Sequence, residues 1–232
     1  VAVVDAGRLF DLVAKRPNDA ATIGARFDKA QLAQHLDVER AKGLVFPSRT
    51  RAFALQILGN RRLVRPLDLG LPWLLALAKR ADPELHKLAY RTLLEHTTPS
   101  DFAPSSSSSV EAGVARLFEM ATGAAENENT RHFAQTYLRC HHPVIGPHDP
   151  QAKELGLSPQ LERASYTVER VWRSLFDPRD DVRRFAATIA KVELRAWGVQ
   201  KRLAALCESD DKLVRNVALD AMLKAGDASA DP

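Results

Sequence analysis

Two cysteines, Cys140 and Cys207, are all the thiol this chain contains. That is too few for a disulfide framework, and the compartment it predicts is a reducing cytoplasm. Aromatic residues are sparse, at 6%, and runs of β-branched residues that would pair into strands are missing. No apolar stretch reaches the length of a membrane span, and no charged leader precedes an apolar core. No membrane partner is therefore expected. The sequence also lacks a P-loop, a dinucleotide fingerprint, a nucleophile elbow and a zinc-protease helix. No catalytic residue, resident metal or cofactor is expected, and the chain reads as non-enzymatic.

What remains favours helix. Ala, Leu and Arg are abundant and lose little on entering one. An apolar share of 45% is enough for a packed core. A length of 232 residues allows one extended domain or two small ones. The formal charge of +4 is mild, and both signs are interspersed, where a dedicated nucleic-acid binder carries concentrated basic runs. The chain opens on Val1 and closes on a small polar tail, Gly226 to Pro232, which reads as a segment of a longer protein.

The main signal is a repeat. Asp177-Pro178-Arg179-Asp180-Asp181-Val182-Arg183-Arg184-Phe185-Ala186 and Ser209-Asp210-Asp211-Lys212-Leu213-Val214-Arg215-Asn216-Val217-Ala218 share an acidic turn, then Val-Arg, then Ala four residues after the Val. The template recurs at Leu85-His86 with Ala89, at Thr50-Arg51 with Ala54, and more weakly at Thr130-Arg131 with Ala134. The Val-equivalent positions 50, 85, 130, 182 and 214 are separated by 35, 45, 52 and 32 residues. The two long gaps contain loop inserts at Pro99–Ser109 and His141–Pro159, rich in Ser and Pro. An Asp or Ser in the turn would cap the following helix. Pro83 and Pro178 suit a helix's first turn. Val and Ala four apart share one helical face, and the small Ala lets a neighbour approach. The Arg after the Val can reach the turn carboxylate of an adjacent copy.

The Asp-Pro-x-x-x-Val-Arg-x-x-Ala string at Asp177 to Ala186 resembles the HEAT repeat, as does Asp210 to Ala218. The resemblance is best over residues 165–225, weaker over 45–95, and slight elsewhere. It implies an all-α fold, an α-solenoid of about five antiparallel helix pairs. Residues 1–44 would be N-terminal helices serving as a divergent capping repeat, and residues 45–232 the repeats. It also implies a scaffold or adaptor that presents a curved surface to a protein partner or to an adjacent domain of a larger polypeptide. A nucleic-acid-binding module is the alternative. A DNA glycosylase of this class would need an aromatic-lined basic groove around a carboxylate, and no residues here can be assigned to one.

The expected helices are Ala6–Lys15, ended by Pro17-Asn18-Asp19, then Asp28–Lys42 capped by Gly43, and Arg49–Leu58 closed by Gly59-Asn60. Helix pairs follow at Leu71–Arg80 with Glu84–His96, Val110–Thr122 with Thr130–Cys140, Ser165–Phe176 with Val182–Trp197, and Val199–Cys207 with Leu213–Ala225. Trp73, Trp172 and Trp197 read as core packing.

The candidate interaction surface is basic. Arg51, Arg131, Arg183 and Arg215 occupy the same motif position and would align in a row. Arg61, Arg62 and Arg65 form a compact spot in a loop, and Arg179, Arg183 and Arg184 form another, beside Asp177, Asp180 and Asp181 that would neutralise much of it. Such a row could track phosphates, or it could pair turn to turn with carboxylates. Cys140, His141 and His142, with His132 and His148, are the one dense cluster of soft ligands. A single Cys without a CxxC partner makes a polar loop with solvated histidines the expected reading. Ser105 to Ser109 reads as a flexible loop.

Overall fold

The computed structural model describes residues 6–19, 22–23, 36–107, 109–198 and 203–227. Every regular element among the described residues is helical, and none is a strand. The chain divides into two compact units, Val1–Thr97 and Thr98–Pro232. The expected N-terminal segment 1–44 and the first two motif copies fall in the first unit.

That unit contains α1 (Ala6–Lys15), α2 (Val38–Gly43), α3 (Ser48–Leu58), α4 (Leu71–Ala78) and α5 (Pro83–His96). In α1, Leu9, Phe10 and Val13 are buried as their spacing predicts, and Phe10 meets Phe53 of α3 edge-on at 6.4 Å. Residues 28–35 of the expected second helix lie outside the described residues. Its described part starts later than expected, at Val38, because the Asp37 carboxylate accepts from Arg40 N–H (3.0 Å) and caps the helix there. Gly43 is its last residue rather than its cap. Ser48 begins α3 rather than capping it, and Pro47 stands at the cap. α2 packs on α3, and α4 packs on α5. Asp82 caps α5 through Glu84 and Leu85 N–H (3.1 and 3.3 Å), with Pro83 in the first turn.

The second unit opens with a 3-10 turn at Pro99–Phe102 and then α6 (Val110–Thr122) and α7 (Glu128–Cys140). The Pro99–Phe102 part of the expected insert is thus packed into the core, while Pro104, Ser105 and Ser106 are exposed. Phe102 is buried against Phe133 (5.9 Å) and Tyr137 (5.2 Å) of α7. The turn lies so close to α6 that a β-carbon at Gly113 would sit 1.7 Å from the Pro99 carbonyl oxygen. The second insert holds α8 (Pro150–Leu155), closed by Gly156 at φ +65°.

The single helix expected over Ser165–Phe176 is broken. Arg163–Ser165 is a 3-10 turn, α9 spans only Val168–Val171, and Trp172–Phe176 is again 3-10. Tyr166 is pinned outside any helix. Its hydroxyl donates to Leu138 O (2.5 Å), and its carbonyl accepts from Trp197 Nε1 (2.6 Å). The partner helix α10 (Asp180–Glu193) ends four residues before the expected Trp197. Pro178 precedes it, and Arg179 holds the cap position. Residues 199–202 lie outside the described residues, and α11 (Leu203–Cys207) and α12 (Lys212–Asp227) complete the unit. α10 packs on the Trp172–Phe176 turn and on α12, and α6 on α7. None of the three tryptophans is fully buried, against the expectation of core packing. Trp73 lies under the Lys42 ammonium at 5.5 Å, and Trp197 serves through its indole N–H.

The motif marks one buried face throughout. Ala54, Ala89, Ala134, Ala186 and Ala218 all stand at 0% exposure. The positions four residues earlier, Thr50, Leu85, Thr130, Val182 and Val214, are buried as well. A methyl group is the largest side chain such a seam takes without forcing its neighbours apart.

Candidate functional site

The arginine row starts from the turn before each motif helix. In four copies the guanidinium folds back onto the carbonyls of its own turn. Arg51 donates to Val45 O (3.1 Å), Arg131 to Glu126 O (2.7 Å), Arg183 to Asp177 and Pro178 O (2.8 Å each), and Arg215 to Ser209 O (2.6 Å). These bonds fix the turn and leave other in-plane N–H groups of the guanidinium to donate elsewhere. Three of the four use them on a carboxylate at the start of the next motif helix: Arg51 on Asp82 (2.5 Å), Arg131 on Asp181 (2.9 Å) and Arg183 on Asp211 (2.7 Å). Asp82 is the cap of its helix, and the Asp211 carboxylate likewise accepts from Leu213 N–H (2.7 Å). In α10 the cap position is Arg179, and the acceptor moves two residues on to Asp181.

These rungs shape the electrostatics of the edge. Burial would raise the Asp181 carboxyl, but the Arg131 hydrogen bond and charge, with Gln135, outweigh it and hold it below its ordinary range. Asp211 is held low first by the Leu213 amide and then by Arg183. Asp177 is held low by its hydrogen bond with Arg179. Arg179 also donates to Gly123 O (2.8 Å) and Thr122 O (2.6 Å), which ties the end of α6 to the turn before α10. Its role was hidden in the sequence because a basic residue stood where three other copies carry a capping Asp or Asn.

The remaining candidates separate into two places. Arg184 pairs with Asp180 (2.6 Å) on the surface of α10. Arg61, Arg62 and Arg65 lie in the first unit, where Arg61 pairs with Glu95, Arg65 with Asp68 (2.9 Å), and Arg62 is exposed. Arg184 and the spot therefore belong to different units.

The Cys-His cluster is corrected by the structure. Cys140, His141 and His142 are all fully buried, not solvated. Each holds a piece of the His141–Pro159 insert against α7. His141 Nδ1 donates to Ser158 O (3.0 Å), and the Cys140 thiol faces Asp149 Oδ1 (3.6 Å). Asp149 in turn caps α8 and accepts from Arg139 (3.3 Å). Burial, reinforced by Asp149, pushes the Cys140 thiol up to about 12, so it is an unreactive thiol.

His142 Nδ1 accepts from the amides of Val144 (3.0 Å) and Ile145 (3.2 Å). That assigns the proton to Nε2, which lies 3.2 Å from Glu193 Oε1 without hydrogen-bond alignment. Glu193 accepts a two-oxygen bond from Arg163 (2.8 and 3.1 Å), so its charge is already matched. Burial, with Arg163 nearby, brings His142 down to about 4. The ring stays neutral because a proton on Nδ1 would face two N–H groups. His148 and His132 are exposed. Among the described residues no three His, Cys, Asp or Glu side chains converge to hold a metal ion. The His142–Glu193 pair has the composition of an acid–base dyad, but both partners are sealed from solvent and no substrate can reach them.

No protein-family model matches the sequence, and no curated protein matches it. Two crystal structures of engineered proteins from the Northeast Structural Genomics Consortium are similar to the chain. One is 18% identical over 97% of this chain and 98% of that one, with a TM-score of 0.36. The other is 18% identical over 95% and 98%, with a TM-score of 0.34. Likeness at that level carries no argument about fold or function.

Proposed function

We propose that the chain is a non-catalytic scaffold of HEAT-like helix pairs stacked as an α-solenoid, which offers its surface to a protein partner or to an adjacent domain of a larger polypeptide. The observation that carries the reading is the engagement of Arg51, Arg131 and Arg183 with Asp82, Asp181 and Asp211. Arginines fixed in that way order successive turns and are withdrawn from phosphate binding. The repeated alanine seam supports the same reading, because stacked helix pairs bury a shared face between neighbours. Side chains left apolar on the surface of the second unit, Phe176, Leu219 and Met222, are 45–51% exposed, and they are the contacts a protein partner would cover.

The test has two parts. A photo-crosslinking residue at Phe176 or Leu219, expressed in the source cells, should join the chain to the same polypeptide from both positions. A labelled DNA duplex titrated at low ionic strength should not bind saturably. Duplex binding that falls steeply with salt and disappears in the Arg131→Ala and Arg183→Ala variants would turn the reading to a nucleic-acid module.

A further inference from the structure

The first unit contains a cleft of about 450 Å³ between the loop that carries Arg61 and Arg62 and one side of α5. Its size falls in the range of small-ligand sites, roughly 300–1,000 Å³. Its charged lining is unbalanced. Four cationic side chains, Arg61, Arg62, Lys87 and Arg91, face one carboxylate, Glu95. The Glu95 side chain is only 8% exposed and already accepts from Arg61 through one oxygen and from Arg91 through the other (2.8 Å). Those two contacts use a small part of what the two guanidiniums can donate, since each carries several N–H groups in a planar fork. Arg62 and Lys87 add further donors at the exposed rim.

A polar group with no partner completes the picture. His96 lines the same cleft, and its Nε2 is buried without a hydrogen bond, 3.4 Å from Glu95 Oε2. Burial first, then the Arg61 charge, keeps this imidazole below its ordinary range, so at neutral pH it is an uncharged group awaiting a partner. Leu58, Val64 and Leu69, all buried, supply apolar walls. The lining thus combines a cationic rim with a hydrophobic floor.

We propose that this cleft binds a phosphorylated small molecule, with its phosphoryl group among Arg61, Arg62, Lys87 and Arg91 and its organic part over Leu58 and Leu69. A phosphate monoester carries about −1.5 to −2 charges and several acceptor oxygens, which suits a rim where cations outnumber carboxylates. A carboxylate would bring one charge and two oxygens. A nucleic-acid strand presents the same phosphoryl chemistry but needs a track of cations leading away from the site. Two further arginines of this unit are engaged, Arg65 with Asp68 and Arg51 with Asp82. The site is independent of the scaffold reading and stands or falls separately.

The probes are inorganic phosphate, adenosine monophosphate and a short single-stranded oligonucleotide, each titrated into the whole chain by calorimetry and by amide chemical shifts. The nucleotide and phosphate should saturate at one per chain, with shifts confined to Thr92, Glu95, His96 and their neighbours. Arg62→Ala and Lys87→Ala should each weaken the nucleotide about tenfold, with an unchanged melting temperature, since neither side chain holds Glu95. Arg184→Ala, in the other unit, should bind as the wild type does. Failure of both small phosphates to saturate overturns the proposal, as does nucleotide affinity unmoved by the Arg62 and Lys87 changes. An oligonucleotide that binds far more tightly than the nucleotide through the same residues reassigns the cleft to a nucleic-acid strand and overturns the small-molecule reading.

Discussion

The two units start from the same motif and use its arginines differently. In the second, Arg131 and Arg183 each reach the carboxylate of the following motif helix, and Arg179 ties a further pair of turns. In the first, Arg51 does so once, and the next copy carries His86, whose Nδ1 donates to the Ala78 carbonyl (3.2 Å). Aromatics divide in the same way. In the second unit Phe102 packs with Phe133 and Tyr137, and Phe118 with Tyr166 and Phe185, while among the described residues the first has Phe10 against Phe53 and His86 against Tyr90. The contrast shows what a cation does when its repeat supplies an acid and when it does not. Paired, it becomes part of the frame. In excess, as around Glu95, it is left facing a cleft.

This comparison can be tested by substitution. The largest effect is expected at Gly113, where any β-carbon must displace the Pro99 backbone. Gly113→Ala should cost the second unit about 3 kcal/mol. Hydrogen exchange should show faster opening of α6 and α7 amides with α5 unaffected, and a uniform loss across both units would merge what we separate.

Next is the buried imidazole. His142 titrates near 6.5 when unfolded and at about 4 when folded, so the unfolded chain binds the proton first. Its contribution is complete above pH 6.5 and fades as pH falls to 4, by on the order of 3 kcal/mol at most. Urea melts across that window should lose stability in the wild type and stay flatter in His142→Asn, whose side-chain oxygen can still accept from Val144 and Ile145. Parallel slopes for the two would assign the loss elsewhere.

A rung is smaller. A double-mutant cycle on Arg183→Met and Asp211→Asn should give a coupling of about 1 kcal/mol, since both side chains are less than a third exposed. The cycle on Arg51 and Asp82 should match it, and zero coupling in either would reduce that rung to coincidence of geometry. Gly43→Ala comes last and with the opposite sign. Nothing lies within 4 Å of a β-carbon there, so the change should stabilise α2 by about 0.5 kcal/mol.

Much of this was legible before the structure. The Val-to-Ala interval alone picks out buried positions in all five copies, because helical periodicity converts spacing into a face. The alternative of turn-to-turn pairing for the Arg row was readable from the alternation of Val-Arg with acidic turns. The broken helix over Ser165–Phe176 was not, since Tyr166 at its start is held by long-range bonds, among them its hydroxyl to Leu138, 28 residues earlier. Likewise, His141 and His142 read as loop residues because their neighbours are prolines. Their burial depends on Ser158 and Glu193, which local sequence does not bring near. The cleft escaped notice for the same reason, although a trace was present. Arg61 and Glu95 are about one repeat apart, as Arg51 and Asp82 are.

Each rung has its donor in one copy and its acceptor in the next, so it belongs to the junction rather than to the repeat. Duplication of the copy that holds both Asp181 and Arg183 would therefore carry both halves and regenerate a rung at the new boundary. Copy number can change in such a chain without new edge chemistry having to evolve. A lost arginine, in contrast, removes the obligation on whatever follows. His86 stands in the last copy of the first compact unit, and there the motif position turns its ring back to the Ala78 carbonyl of its own unit.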